Sequence, residues 1–567
     1  MSNPLFEICC IGKNEFKTIP RLNDSLREYK ERGGIVNYLD TGSKDGTQDL
    51  ARSFGWRVKD VGEKFLIEIE NYEEINKKFV VDGEEPIVKK GDKYFNFSAA
   101  RNECAEMATQ PVIFWYDCDE VAERLDIDYV NDIIQKGFTQ FEYFFCFAKD
   151  SFGNEAVKFI QCKAYDKTVM LWRGRIHELV CNIDNSKTAN RVFIPEDRYK
   201  LAHYQNHEQG RHSYMGGLAI DCYEFPENDR HKFYLNREML YHGRLRSALR
   251  GFKQHLRMGG WHSERSESLI YCGDIYGMLQ DPTNQMLSYA EAFHLDSGRN
   301  AALVKLALFY RHNGNHQAAI AYAKAALEIP YNGFYADNLA NYREIPHEIL
   351  YQSLGRCPNI PDYVEKAKQH LLMALSYQPL NAQYLADTKF YWEYPDNGIE
   401  GWMKFDELQF LYETSKKMTS VIEVGSWCGR SSHAILSGCK GDVTCVDSWK
   451  GSDDIRDYTN SLAKERDIFE IFKKNVGHFP KLKIIKERSV EAAATVPDRS
   501  AEMVFLDAGH DFQSVVADIR AWRGKATKIL CGHDWLDPTW MGVISAVRQE
   551  LGEPDEIHGT IWVKYLN

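Results

Sequence analysis

The sequence predicts a multidomain α/β protein in which two α/β segments flank an all-α one. Three observations carry that expectation. At 567 residues the chain is several times the length of an average domain, about 150 residues, so one core does not account for it. Apolar runs of strand length alternate with polar, helix-like stretches up to about residue 230, and again from about residue 402. Between these stretches the strand signals fade and helical periods take over, which gives expected segments of 1–230, 231–398 and 399–567.

In the first segment, Ile8 to Ile11, Val36 to Leu39 and Val112 to Tyr116 read as buried strands, each ending at a polar cluster. The run Leu39 to Thr47 leaves the second strand, bends on Gly42 and Gly46 and enters a polar helix, so it faces the crevice where α/β sheets bind ligands. Asp40 and Asp45 are suited there to hold a base or ribose, and the glycines to let the backbone approach closely. The alternative is an ordinary Asp-rich turn. The third strand runs into Asp117-Cys118-Asp119-Glu120. Alternate residues of an extended chain point to opposite sides, so Asp117 and Asp119 converge on one cation only across a turn. Such oxygen ligands suit Mg²⁺ or Mn²⁺, ions that bridge diphosphate oxygens and neutralise a leaving group. Carboxylates at a strand end are also often merely solvated.

IGKNE at 11–15, LDTGSKDGT at 39–47, NFSAARNE at 96–103 and FWYDCDE at 114–120 occur in one order. That combination resembles the family-2 glycosyltransferases with the GT-A fold, over about residues 5–225. The resemblance implies a nucleotide-sugar domain that transfers a sugar from a nucleotide-diphosphate donor with inversion. It also implies nucleotide contacts near Asn14, Glu15, Asp40 and Asp45, a contact from Arg101, and metal binding by Asp119 with help from Asp117. An inverting transfer needs a base for the acceptor hydroxyl's proton. Glu178 is the candidate, in LWRGRIHELV, which resembles the Arg-x-His-Glu segment of repeat-bearing members; the alternative is that it only positions the acceptor. His203, in LAHYQNHE, would complete the metal shell, as a later histidine does in many GT-A enzymes, or else is a hydrogen-bonded loop residue. His207 and His212 receive no role.

In the middle segment Gly273, Tyr276 and Ala292 are followed 34 residues later by Ala307, Tyr310 and Ala326. Residues 302–330 resemble the tetratricopeptide repeats, with Ala319 and Ala326 as the small residues where paired helices touch and Pro330 near the repeat's end. Ala367, Ala374 and Pro379 read as a further copy displaced by an insertion. An ordinary helical bundle is the alternative. The resemblance implies a tetratricopeptide-like connector that supplies a groove or a rigid spacer.

In the last segment SVIEVG, DVTCVD, EMVFLD and KILCGHD read as strands of a parallel sheet. The first enters the turn Gly425-Ser426-Trp427-Cys428-Gly429, where the two glycines permit close approach of a ligand. Trp427 separates this turn from the G-x-G-x-x-G dinucleotide pattern. Asp447, 24 residues after Glu423, ends the next strand and is placed to accept two ribose hydroxyls. These features resemble the class I S-adenosylmethionine-dependent methyltransferases, with a Rossmann-like fold over about residues 400–567. By that likeness Glu423, Gly425, Gly429 and Asp447 contact the cofactor. Asp507, His510, His533 and Asp534 put acids and histidines at two strand ends. A divalent metal on Asp507 and Asp534 would lower a sugar hydroxyl's pKa, with His510 or His533 as base; without a metal the same residues hold the loops and orient the substrate. Asp507, His510 and Asp534 are the expected catalytic set. A noncatalytic methyltransferase fold is the remaining alternative.

The net charge of −12 gives no global footprint for nucleic acid, and no apolar run reaches the length of a membrane span. The 14 cysteines include no CxxC pair, as expected of reduced core thiols in a cytoplasmic protein. The whole reads as a bifunctional enzyme: metal-dependent sugar transfer onto a saccharide or glycoconjugate acceptor, and S-adenosylmethionine-dependent O-methylation of a sugar hydroxyl. The alternatives are a protein or peptide acceptor bound in the repeat groove, and an assembly platform with inactive flanking domains.

Overall fold

The computed structural model describes residues 2–149, 155–184, 188–204, 214–452, 459–536 and 538–566. The chain forms two compact units, Met1–Cys357 and Pro358–Asn567.

The strands of the first unit, among the described residues, are β1 (Phe6–Gly12), β2 (Val36–Asp40), β3 (Arg57–Asp60), β4 (Leu66–Glu68), β5 (Lys93–Phe95), β6 (Val112–Trp115), β7 (Glu120–Leu125), β8 (Gln140–Lys149), β9 (Glu155–Asp166), β10 (Met170–Arg173), β11 (Leu179–Asn182), β12 (Arg191–Ile194) and β13 (Tyr199–His203). Nine of them build a mixed sheet in the order β3-β2-β1-β6-β9-β8-β13-β7, with β12 beside β8. The half from β3 to β6 is parallel, and β9 enters it antiparallel to β6. Sequence patterning exposed the parallel half because β1, β2 and β6 are buried along almost their whole length. The long β8/β9 hairpin has mixed burial and gives no comparable apolar run.

The helix Phe97–Met107 covers one face of this sheet. Asn96 caps it by accepting from Ala99 N at 3.1 Å. Its Ala100, Cys104 and Ala105 share a core with Cys9, Leu39, Ile113 and Trp115. That packing turns Arg101, on the same stripe, toward the end of β6.

The helices from Met215 to Met278 are joined to the sheet's loops by a common core, in which Ile69, Tyr94 and Ile176 pack with Leu218, Phe233, Phe252 and Ile275. Beyond it, the helices His262–Met278 and Pro282–Leu295, then Ala301–His312 and His316–Leu327, form a tetratricopeptide-like array of helix pairs. The period has a steric reason, since a Cβ on Gly273 would lie 2.4 Å from the Tyr289 ring. Ala292, Ala307, Ala319 and Ala326 are fully buried. Ala367 and Ala374 lie buried on the helix Tyr363–Tyr377 of the second unit.

The second unit contains β14 (Ser420–Val424), β15 (Asp442–Asp447), β16 (Leu482–Lys486), β17 (Ala501–Leu506), β18 (Ala526–Gly532), β19 (Glu556–His558) and β20 (Ile561–Tyr565). Their order is β16-β15-β14-β17-β18-β20-β19, parallel except for β20 against β18 and β19 against β20. The strand order reverses beside β14, which makes the ends of β14 and β17 the switch point of a doubly wound sheet. Alternate residues enter two cores: Val421, Val443, Met503 and Phe505 on one face, Ile422, Val424, Val504 and Leu506 on the other. Burial on both faces is why these strands read as continuous apolar runs.

Among the described residues no helix is long and apolar enough to cross a membrane. All fourteen cysteines are free, and all but Cys162 and Cys181 are buried.

Candidate functional site

In the first unit two loops at the carboxyl ends of β1 and β2 are knitted together by the residues singled out in the sequence. Asn14, at φ 61°, donates its N–H to Ser43 Oγ at 2.8 Å, and Lys44 N donates to Asn14 Oδ1 at 2.8 Å. Glu15 N donates to Thr47 Oγ1 at 2.9 Å, and Phe16 N to Asp45 Oδ2 at 3.2 Å. Asp40 Oδ1 accepts from Gly42 N, Ser43 N and Gln48 Nε2 at 3.0, 2.8 and 3.0 Å. Asp40 is fully buried, and its carboxylate holds its own turn. Asp45 likewise accepts from Thr47 N at 3.0 Å.

At the end of β6 the acidic pair diverges. Asp117 Oδ1 accepts from Arg101 Nη1 and Trp115 Nε1, both at 3.1 Å, and Oδ2 from Lys163 Nζ at 2.7 Å. Burial would raise the Asp117 pKa, but the Lys163 and Arg101 cations hold it well below the usual carboxylate range. Asp119 turns the other way, its Oδ2 lying 2.8 Å from His203 Nε2. His203 Nδ1 meets the Phe147 carbonyl at 3.0 Å, the kind of contact that fixes the tautomer of a metal-binding histidine. Burial would lower the His203 pKa, and the Asp119 hydrogen bond and charge raise it above the usual value. Asp119 and His203 are therefore together as expected, whereas Asp117 is spent on two cations. The sharp turn after β6, with Glu120 N donating to the Asp117 carbonyl, separates the two carboxylates.

Arg101 is the hub of this cluster. Its guanidinium is sandwiched at 4.7 Å from each of the Trp115 and Trp172 rings, and its Nε lies 2.6 Å from Glu178 Oε1. Glu178 thus faces the same cluster as Asp117. Lys163 also binds Glu120 Oε1 at 2.6 Å, and burial pushes the Glu120 pKa up to about 7. Sequence reasoning missed Lys163, although a lone cation inside FIQCKAY is a usable signal. His177, at φ 53°, stacks on Tyr234 at 3.9 Å, and burial with Arg237 holds its pKa well below the usual value.

In the second unit the expected residues gather at the carboxyl ends of β14, β15, β17 and β18. Glu423 is fully buried. Its Oε2 accepts from Ser426 Oγ at 2.7 Å and from Ser432 Oγ, while Oε1 is buried without a well-formed hydrogen bond. Burial raises the Glu423 pKa. Asp447 Oδ2 accepts from Ser426 N and Trp427 N at 2.9 and 2.8 Å, and Oδ1 from Trp449 N at 2.6 Å. Ser448 N also donates to this carboxylate, so the turn itself supplies most of its hydrogen bonds.

The glycine turn has reasons internal to the chain. A Cβ on Gly425, at φ 92°, would lie 1.9 Å from the Asp507 carbonyl oxygen. Gly429, also at φ 92°, starts the helix Arg430–Gly438. Trp427 takes a left-handed backbone at φ 43°, and its carbonyl accepts from Trp449 Nε1 at 2.9 Å.

Beyond Gly425, Asp507, His533 and Asp534 offer ligand atoms within 4.8 Å of one another. His533 Nδ1 lies 3.2 Å from Asp534 Oδ1 and 3.6 Å from Asp507 Oδ1, and His510 Nε2 lies 3.0 Å from Asp534 Oδ2. Asp534, at φ 65°, holds a backbone conformation that non-glycine residues rarely adopt. Burial opposes charge on His533, yet the Asp507, Asp534 and Glu407 carboxylates raise its pKa well above the usual value. Glu407, from the helix Phe405–Ser415, escaped the sequence reading because no local pattern links it to residue 533.

Residues 422–535 match a family model described as a methyltransferase domain. The chain is also similar to three solved structures. The crystal structure of MamA shares 18% identity over 30% of this chain and 90% of that one, at a TM-score of 0.23. YrrB, described as a TPR protein with an unusual peptide-binding site, shares 15% over 31% and 81%, at 0.24. Cofactor-bound Rv0187 from MTB shares 14% over 28% and 73%, at 0.22. TM-scores this low carry no weight for fold or function. No curated protein matches the chain.

Proposed function

We propose that the second unit is an S-adenosylmethionine-dependent O-methyltransferase acting on a sugar hydroxyl. The observation that carries this reading is the carboxylate pair at the switch point. Glu423 and Asp447 lie at the ends of neighbouring strands beside the Gly425–Gly429 turn, and Asp447 holds that turn through the Ser426 and Trp427 N–H groups. These residues fit the charged and ribose parts of the cofactor, and the methyltransferase-domain match covers both. Bound there, S-adenosylmethionine would supply an electrophilic methyl group. Asp507, Asp534 and His533 Nδ1 suit a divalent cation, with Glu407 taking the other ring N–H, and such an ion would acidify a hydroxyl. His510, beside Asp534, is the group assigned to take the proton. Titrating the full chain with S-adenosylhomocysteine in a calorimeter, and assaying methyl transfer to saccharides with and without Mg²⁺, tests the reading. Absence of cofactor binding would end it.

For the first unit we propose metal-dependent, inverting sugar transfer onto a glycan that the second unit then methylates. Support comes from Asp119 and His203, poised 2.8 Å apart, and from Glu178 beside Arg101. In this reading Asp119 and His203 hold Mn²⁺ or Mg²⁺, Asp117 orients Arg101 toward the donor diphosphate, and Glu178 is the base. The loops at Asn14, Glu15, Asp40 and Asp45 form the floor under the nucleotide. Segments 1–230, 231–398 and 399–567 are then sugar-transfer, repeat and methyl-transfer parts. A protein or peptide acceptor is the second reading, favoured by the array of paired helices. Incubation with a panel of nucleotide sugars and Mn²⁺, scoring nucleotide release and then sugar on saccharide or polypeptide, decides between them.

A further inference from the structure

Away from both sites, three side chains meet where the helical segment begins. Asp229 is the first residue of the helix Asp229–Tyr241, His255 the last of the helix Leu245–His255, and Glu264 lies in the first turn of the helix His262–Met278. They offer one ligand atom each, all within 4.8 Å of one another. His255 is fully buried, and its Nδ1 is occupied by Ser268 Oγ at 2.9 Å. Its Nε2 is buried with no hydrogen-bond partner among the described residues. An orphaned buried nitrogen is costly, and here it lies within reach of two carboxylates. With Nδ1 donating to Ser268 Oγ, Nε2 presents its lone pair to the two carboxylates' side.

The surroundings are built for this arrangement. Gly259 and Gly260, at φ 87° and 83°, turn the chain between the second and third helices. A Cβ on Gly260 would fall 1.6 Å from Asp229 Oδ2, so only glycine lets the turn close over that carboxylate. Glu264 Oε1 accepts from Arg230 and, at 2.8 Å, from Tyr335 OH. Arg230 partly balances Glu264 and leaves Asp229 as the charge for a cation to neutralise.

We propose that Asp229, His255 Nε2 and Glu264 form a binding site for a divalent cation of the zinc class, which clips three helices together at the start of the helical segment. One imidazole and two carboxylates suit Zn²⁺ better than Mg²⁺, and Ser268 supplies the contact that orients the imidazole. Tetrahedral coordination places ligand atoms about 3.3 Å apart, so the three side chains would close toward one another on the ion, leaving a fourth position for water.

The test uses the full chain purified without chelator, exposed to Zn²⁺ and dialysed. Elemental analysis would show one zinc per chain more in wild type than in His255→Ala or Asp229→Asn. Co²⁺ in place of Zn²⁺ would give a d–d absorption band that Asp119→Asn and Asp507→Asn retain and His255→Ala loses. Zn²⁺ would raise the Tm of wild type and not of Asp229→Asn, whose partly exposed side chain makes it the safer variant to fold. Equal zinc content in wild type and both variants, or no zinc retained by wild type, overturns the proposal.

Discussion

His533 Nε2 lies 3.2 Å from Glu407 Oε2, which ties the end of β18 to the helix Phe405–Ser415, 126 residues earlier in the chain between the two side chains. Burial would raise the Glu407 pKa, and the His533 hydrogen bond brings it down to about 2. Glu407 Oε1 is taken by Thr560 N and Oγ1, both at 2.8 Å, so the pair is fully enclosed. Removing one partner of such a pair leaves a buried charge uncompensated. Glu407→Gln is expected to cost about 3 kcal/mol in urea unfolding of the second unit. It should also weaken any Mg²⁺ dependence of methyl transfer, by about 10-fold or more in metal affinity.

Asp447 closes the turn at Ser426 and Trp427 from the end of β15. Asp447→Asn removes the charge while keeping one oxygen. A charge-assisted hydrogen bond contributes roughly 1.5–3 kcal/mol, so calorimetry should read S-adenosylhomocysteine affinity reduced by about 10- to 100-fold.

Gly425 meets the Asp507 carbonyl at a distance that no Cβ tolerates. Gly425→Ala must separate β14 from β17 at their ends as well as strain a left-handed backbone. The expected loss is about 3 kcal/mol or more by urea denaturation. An unchanged midpoint would show that the strand ends are further apart than described.

Asp518 is buried beside Ser489, and burial raises its pKa from 3.8 to about 6. The folded chain therefore favours the protonated acid. That contribution to stability is fully present below pH 3.8 and is lost as pH rises through about 6. Asp518→Asn should be the more stable protein at pH 7, by roughly 2–3 kcal/mol, and the difference should vanish near pH 4. Urea unfolding of both proteins across that range checks the sign.

Asp119 and His203 face each other while Asp117 faces Arg101 and Lys163. If they hold the cation, Asp119→Asn and His203→Ala should each reduce Mn²⁺-dependent nucleotide release by at least about 100-fold, with the far-UV spectrum unchanged. Asp117→Asn should instead release Arg101 and lower the melting temperature of the first unit.

Much of the architecture was legible in the chain because burial leaves marks at short range. β1, β2 and β6, and β14, β15, β17 and β18, are apolar runs because both faces of each sheet are covered. The 34-residue spacing of small residues was legible because helix pairs admit only small side chains at their contacts. The acids at strand ends were found for the same reason, since a polar residue that stops an apolar run marks the end of a strand.

What those acids touch was decided by the tertiary structure. Two aspartates one residue apart look equivalent in sequence, yet a turn sends Asp117 to a buried arginine and lysine and Asp119 to a histidine. Asp40 Oδ1 accepts from the N–H groups of its own turn, contacts that the sequence alone does not reveal. The partners that set protonation, Lys163 for Asp117 and Glu407 for His533, lie 46 and 126 residues away along the chain. Local pattern specifies which segments are strands and helices because that choice depends on neighbours a few residues apart. Charge, hydrogen bonding and pKa depend on which distant side chains the packing brings within a few ångströms, and only the folded chain specifies that.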